Sequence, residues 1–330
     1  MSDALKAGDK DNGKSRVARY AVLIVKLSIS AGLIYFLISK VGGRTIINHI
    51  TRLNPLIFIT ACAAYLFMIW LSSVRWTLLI PRKMETGRLF SIYMIGSFFN
   101  TYMPGIIGGD AVKAYYLSKE LKSSSSRPDK FSDHTLSISI ASVFMDRYIG
   151  FTAILFISMA AFPLAFAYLE GTPVRWLMPI VLAVFTVGSI VVFKFRLGER
   201  FKFLFKVYEY FRLYSKKRDV LLKAFIYSLV LQGLNIVVVY FLSVGLSLGI
   251  SFFHIVVFLP IIILISFIPV SISGIGLREG AFVILLGTAG VSPERSVALS
   301  LVWFLSYVTA SLVGLFEYLR LKPVLDGKVE

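Results

Sequence analysis

Long apolar blocks separated by short polar ones run almost from one end of this chain to the other. Each is about twenty residues, enough to cross a bilayer as a helix. Periodicity alone does not separate a buried helix from a spanning one, but a soluble domain could not bury so many such blocks. The pattern predicts an all-α polytopic membrane protein with seven clear spans, at 20–39, 55–80, 136–162, 176–193, 222–244, 253–268 and 296–319. An extra crossing within 270–290 would make eight. Around one membrane domain, 20–320, stand a polar, net basic segment at 1–19 and a polar tail at 321–330.

Two further apolar pieces are interrupted. The first, 89–107, runs into "NTYMPGIIGGDAVKAYYLSKE" at 100–120 and then the Ser-rich "KSSSSRPDK". It is basic on both sides, so the chain should enter and leave on one face, which favours a re-entrant hairpin over a full crossing. Such non-helical backbone is tolerated at depth only where protein or a wet cavity surrounds it. The second is "IPVSISGIGLREGAFVILLGTAG" at 268–290.

The two pieces share a layout: an apolar residue and Pro (Pro104, Pro269), small or apolar residues, nearby glycines (Gly109; Gly274 and Gly276), then a carboxylate beside a cation. In the first these are Asp110 and Lys113, in the second Glu279 and Arg278. Asp110 is placed to cap a helix that opens at Ala111. Helix N-termini expose unpaired N–H groups and attract anions. Paired interrupted segments in two halves of a chain point to a transport site at a repeat interface, and an inverted repeat is one reading of this pair. The plainer reading is two capped helix starts whose carboxylates satisfy only their own backbones.

A third signal is "ASVFMDRYIGF", which sets Asp146 and Arg147 inside a span. Asp146 falls about 18 Å along the helix from its polar end at His134, near the bilayer centre. A charge there costs at least about 2.5 kcal/mol, so it requires a partner. Lys113 or Arg278 suits Asp146, and Asp110 or Glu279 suits Arg147. A register-fixing ion-pair network and a functional site both fit. Arg75 and Trp76, in "SSVRW", lie close to Pro81, where a snorkelling Arg and an interfacial Trp are the simpler account.

Composition narrows the classes. Apolar residues make up 57% and charged residues 16%, against about a quarter charged in soluble domains. The formal charge of +17 fits the positive-inside rule better than nucleic-acid binding. Residues 194–223 hold ten Lys or Arg against three acids, interleaved with aromatics, as in a segment lying on an anionic leaflet. The block at 20–39 lacks a small-residue cleavage site and reads as a retained anchor with a cytoplasmic N-terminus. Cys62 is the single cysteine, and His49, His134 and His254 lack metal-ligand spacing. No Walker A, G-x-S-x-G or H-E-x-x-H pattern occurs. The residues give no positive sign of an enzyme, a cofactor or a metal.

Arg75-Trp76, "NTYMPGIIGGDAVKAYYL", "DRYIG" and "IPVSISGIGLREGAF" together resemble the lysylphosphatidylglycerol synthase transmembrane-region family, also called flippase-like. The positions that carry the resemblance are Asn100, Pro104, Gly109, Asp110 and Lys113; Asp146 and Arg147; and Pro269, Gly274, Gly276, Arg278 and Glu279. It implies the translocating part of such proteins, without the soluble aminoacyltransferase domain that some carry. Lys113 stands where many members have Arg, keeping the charge but losing bidentate geometry. The expected function is movement of a polar, phosphate-bearing lipid head group across the cytoplasmic membrane, with anionic membrane lipids as partners. A membrane-embedded lipid or glycan transferase, or its accessory subunit, is the alternative. A homo-oligomer or a lipid-synthesis partner stays open.

Overall fold

The computed structural model describes residues 43–82, 84–102, 108–123, 135–194, 209–212, 217–268 and 274–325, with a few isolated positions besides. The N-terminal segment, most of the span at 20–39, the Ser-rich loop, much of the basic 194–223 stretch, Pro104, Pro269 and the end of the tail lie outside the described residues. Helices account for nearly all of what is described, and no strand occurs among those residues. The chain is an all-α polytopic membrane protein.

A short amphipathic helix, α1 (Gly43–Thr51), buries Ile46 and leaves Ile47 exposed. Helix α2 (Pro55–Leu78) begins where Asn54 accepts the Leu56 amide at 2.9 Å, and Pro55 opens it because that position needs no donor. Then come α3 (Thr86–Tyr102), α4 (Gly108–Ser123), α5 (Thr135–Ala160) and the short α6 (Phe162–Tyr168). A 3-10 turn, Pro173–Trp176, leads into α7 (Leu177–Lys194). The second half holds α8 (Arg218–Gly245), α9 (Phe252–Ser266), α10 (Leu277–Thr288), α11 (Pro293–Ser311) and α12 (Val313–Leu325).

Five helical stretches are long and apolar enough to cross a membrane: Pro55–Leu78, Thr135–Ala160, Pro173–Val191, Arg218–Gly245 and Pro293–Leu321. They match five of the seven expected spans. The span expected at 253–268 is the 15-residue α9, about 22 Å long and short of the ~30 Å hydrocarbon core. The last stretch is broken at Leu312, where α11 gives way to α12. Just beyond the break Gly314 packs on α3: a Cβ there would sit 2.8 Å from the Met94 carbonyl carbon and from Phe98 Cβ.

Helices α3 and α4 form an antiparallel hairpin. Arg88 near its base pairs with Glu120 at 3.1 Å, while Asn100 near its tip bonds the Gly109 amide at 3.0 Å. The arms touch because both contact positions are glycine. A Cβ on Gly109 would meet Asn100 N at 2.5 Å, and one on Gly96 would sit 2.7 Å from Lys113 Cδ. Neither arm is among the long apolar stretches, and the two ends of the hairpin lie together.

Two apolar clusters hold the helices together. One gathers residues from α2, α8, α9, α10 and α11 around Phe258, Phe282 and Leu299. The other gathers Trp76, Ile92, Ile95, Leu117, Met145 and Ile149 from α2, α3, α4 and α5. The charged residues singled out in the first half of the sequence are carried by three of the same four helices, α2, α4 and α5.

Candidate functional site

Asp146 is the twelfth residue of α5, about 17 Å along a helix of about 39 Å. Its carboxylate is 1% exposed and fully engaged. Oδ1 accepts from Arg75 Nη2 at 2.8 Å and Nε at 3.0 Å, and Oδ2 accepts from the Tyr93 hydroxyl at 3.1 Å. Arg75 Nη1 donates to Ser228 on α8 at 2.7 Å. Arg75 therefore does not snorkel to an interface: it is buried, and it ties α2 to α5 and α8. Trp76 beside it has no exposed surface, and its indole Nε1 lacks a hydrogen-bond partner among the described residues.

Arg147 points away from Asp146, because adjacent helical residues diverge by about 100°. Its guanidinium forks onto Asp110 of α4, with Nε 2.9 Å from Oδ2 and Nη2 3.0 Å from Oδ1. Asp110 also accepts from Asn100 Nδ2 at 3.3 Å. It does not cap α4. The helix starts at Gly108, three residues before the Ala111 start expected for a cap at Asp110, and the Asn100 side chain takes the Gly109 amide. That frees the Asp110 carboxylate for Arg147. The arginine side chain is 47% exposed, so this pair forms the open edge of an otherwise buried group.

Lys113 sits between the two carboxylates, 3.6 Å from Asp110 and 3.8 Å from Asp146, too far for a hydrogen bond to either. Its ammonium instead lies 4.0 Å from the Tyr93 ring centroid and 5.2 Å from that of Trp76, a cation–π arrangement strengthened by desolvation. At 2% exposure it is closed to any ligand from outside. Arg75, Lys113 and Arg147 thus face Asp110 and Asp146: three cations to two carboxylates among the described residues, an excess of one positive charge.

The late motif forms a second group. Gly274 and Gly276 take positive φ of 73° and 87°, which only glycine adopts readily. Glu279 Oε2 accepts the Gly276 amide at 2.6 Å and so caps α10. Its Oε1 takes Arg278 and, at 3.1 Å, the Ser300 hydroxyl. Arg278 also reaches Ser300 and lies 4.3 Å over the Phe304 ring. Both charges are buried and satisfied by each other and by α11.

The structure therefore gathers Arg75, Trp76, Asn100, Gly109, Asp110, Lys113, Asp146 and Arg147, and keeps Gly274, Gly276, Arg278 and Glu279 apart. The two groups share no hydrogen-bond or ion-pair partner among the described residues. Helix α11 lies between them: Tyr307 stands beside Arg147, Ser97 and Thr101, while Trp303 touches Arg278. Tyr65, Asn235 and Trp303 hydrogen-bond to one another across α2, α8 and α11, with Tyr65 edge-on to Tyr307. Tyr93, Ser228, Ser300 and this aromatic–amide triad are the partners that sequence reasoning missed. A lone Ser or Tyr in an apolar helix carries no signal of its own.

Among the described residues no group of His, Cys, Asp and Glu could hold a metal ion. A UPF0104 membrane protein of Methanothermobacter thermautotrophicus is 23% identical over 337 residues, covering 90% of this chain and 95% of that protein. The profile of the lysylphosphatidylglycerol synthase TM region matches residues 23–314, from the first expected span to the Gly314 contact on α3. Both charged groups and the helices that carry them fall within that match, and the chain belongs to the lysylphosphatidylglycerol synthase TM region family.

Proposed function

We propose that this integral membrane protein moves a phosphate-bearing lipid head group across the cytoplasmic membrane, with Arg147 as the group that takes the anion. The observation that carries this reading is the excess cation at mid-helix depth, with Arg147 as its one half-exposed member among the described residues. A charge at that depth is costly unless paired, so a group with one cation in excess favours an arriving anion at its exposed member. Only two of its three nitrogens are used on Asp110, and Nη1 makes no hydrogen bond among the described residues. The α3–α4 hairpin then enters from the cytoplasmic face and holds Asp110 at depth, with the N-terminus on that same face. Arg278 and Glu279 brace α10 against α11 and do not touch the head group. Membership of a lipid-related family is consistent with a lipid cargo.

The test is lipid movement in liposomes containing the purified protein and a fluorescent phospholipid, read by dithionite bleaching from outside. Wild type is expected to expose inner-leaflet probe. Arg147→Gln is expected to slow this at least ten-fold while still purifying as a folded, monodisperse protein, since one lost charge-assisted contact is worth more than about 1.4 kcal/mol. No movement by wild type, or an unchanged rate in a folded Arg147→Gln protein, sinks the proposal.

A further inference from the structure

We infer that Asp110 occupies Arg147 as a stand-in for the substrate's anion, and that Lys113 is the berth Asp110 takes when that anion arrives. This rests on the reading of Arg147 as the anion-binding group. The Asp110 carboxylate meets the guanidinium fork with both oxygens, at 2.9 and 3.0 Å. The two unesterified oxygens of a phosphodiester suit the same arginine fork and share the same single negative charge. Carboxylate and phosphodiester therefore compete for one pair of donors.

A displaced carboxylate inside the membrane needs another cation, because a buried unpaired charge is strongly destabilising. Lys113 Nζ already stands 3.6 Å from Asp110 Oδ1; its other near neighbours are Asp146 Oδ2 at 3.8 Å and the Tyr93 and Trp76 rings, and it is hydrogen-bonded to neither carboxylate. A turn of the Asp110 carboxyl shortens that contact into a hydrogen bond without moving α4, whose start is held by Asn100 on the Gly109 amide. Asp146 has no part in this exchange, because it is 1% exposed and its hydrogen bonds go to Arg75 and Tyr93 rather than to Arg147. Of the two carboxylates, Asp110 is the mobile one and Asp146 the anchor. The device keeps resting affinity low, so a bound head group is also released readily when Asp110 returns.

The protein in dodecyl maltoside micelles, which carry no phosphate, is titrated with fluorescent phosphatidylglycerol and, separately, with inorganic phosphate. Asp110→Asn is expected to bind the lipid about ten-fold more tightly than wild type, because the competing charge is gone. Asp110→Glu should restore the weaker wild-type affinity, and Arg147→Gln should abolish binding. Equal or weaker binding by Asp110→Asn, with Arg147→Gln still inactive, overturns the stand-in role and leaves the proposed function intact. Wild-type binding by Arg147→Gln overturns both. Tightening for inorganic phosphate but not for the lipid upholds the stand-in role and removes the lipid assignment. If Asp110→Asn does not purify as a folded protein, Lys113→Gln decides the matter. Without its berth Asp110 stays on Arg147, lipid affinity falls about ten-fold, and an unchanged affinity rejects the exchange.

Discussion

Arg75 illustrates how much a single buried side chain can hold. Its guanidinium serves a carboxylate on α5 and a hydroxyl on α8, so one residue fastens three helices. Arg75→Ala leaves Asp146, 1% exposed, with only a distant ammonium and a phenol. We expect a loss of about 3–5 kcal/mol, read as a lower melting temperature in detergent. Arg75→Lys keeps the charge but cannot reach both partners, and should fall between. Asp146 and Arg147 are legible in the sequence as charges inside an apolar block. Arg75 is not, because nearness to Pro81 says how far along α2 it lies but not which face it is on. That face turns toward α5, and burial overrides the interfacial reading.

At the scale of elements, the hairpin depends on two positions without side chains. Gly109→Ala or Gly96→Ala forces the arms apart and displaces Asn100 or Lys113, with an expected cost of about 1–3 kcal/mol in thermal unfolding. Loss of stability without loss of helix content in circular dichroism would locate the damage in packing. Hairpin topology has its own check. Cys62 is the single cysteine, so in a Cys62→Ala background Thr86→Cys and Lys122→Cys should react with an impermeant thiol reagent from the same side of the membrane. Labelling from opposite sides would break the hairpin apart. Gly and Pro residues mark the interruption in the sequence itself. The identity of the cap does not show there, because Asn100 reaches Gly109 only after the chain has turned back on itself.

The whole molecule carries two buried charge groups separated by α11, and their independence is measurable. Arg278→Ala strands Glu279 on the Gly276 amide and Ser300 and should destabilise by about 3–5 kcal/mol. Combined with Arg147→Gln its effect should add to within about 0.5 kcal/mol, since the two share no partner among the described residues, whereas Asp110→Asn and Arg147→Gln should be strongly non-additive. Coupling between Arg147 and Arg278 would mean that the two groups act as one. The layout shared by the two Gly/Pro-interrupted segments suggests such a joint site. Sequence similarity between segments carries no information on which helix is packed between them, and here that helix is α11. Five of the seven expected spans follow from apolar block length; the block at 20–39 lies mostly outside the described residues, and at α9 Ser266 ends the helix early and the Gly274 turn folds back against it.

The mid-helix position of Arg147 has an electrical consequence. Under the proposed function, a singly charged head group that travels from one face to this residue crosses roughly half of the transmembrane field, worth about 1 kcal/mol per 100 mV. Lipid arrival from one leaflet is then favoured by a membrane potential and from the other opposed by it. In liposomes with an imposed potassium diffusion potential, the two directions of transport should separate by several-fold, and the sign of the difference reports which face the cargo leaves.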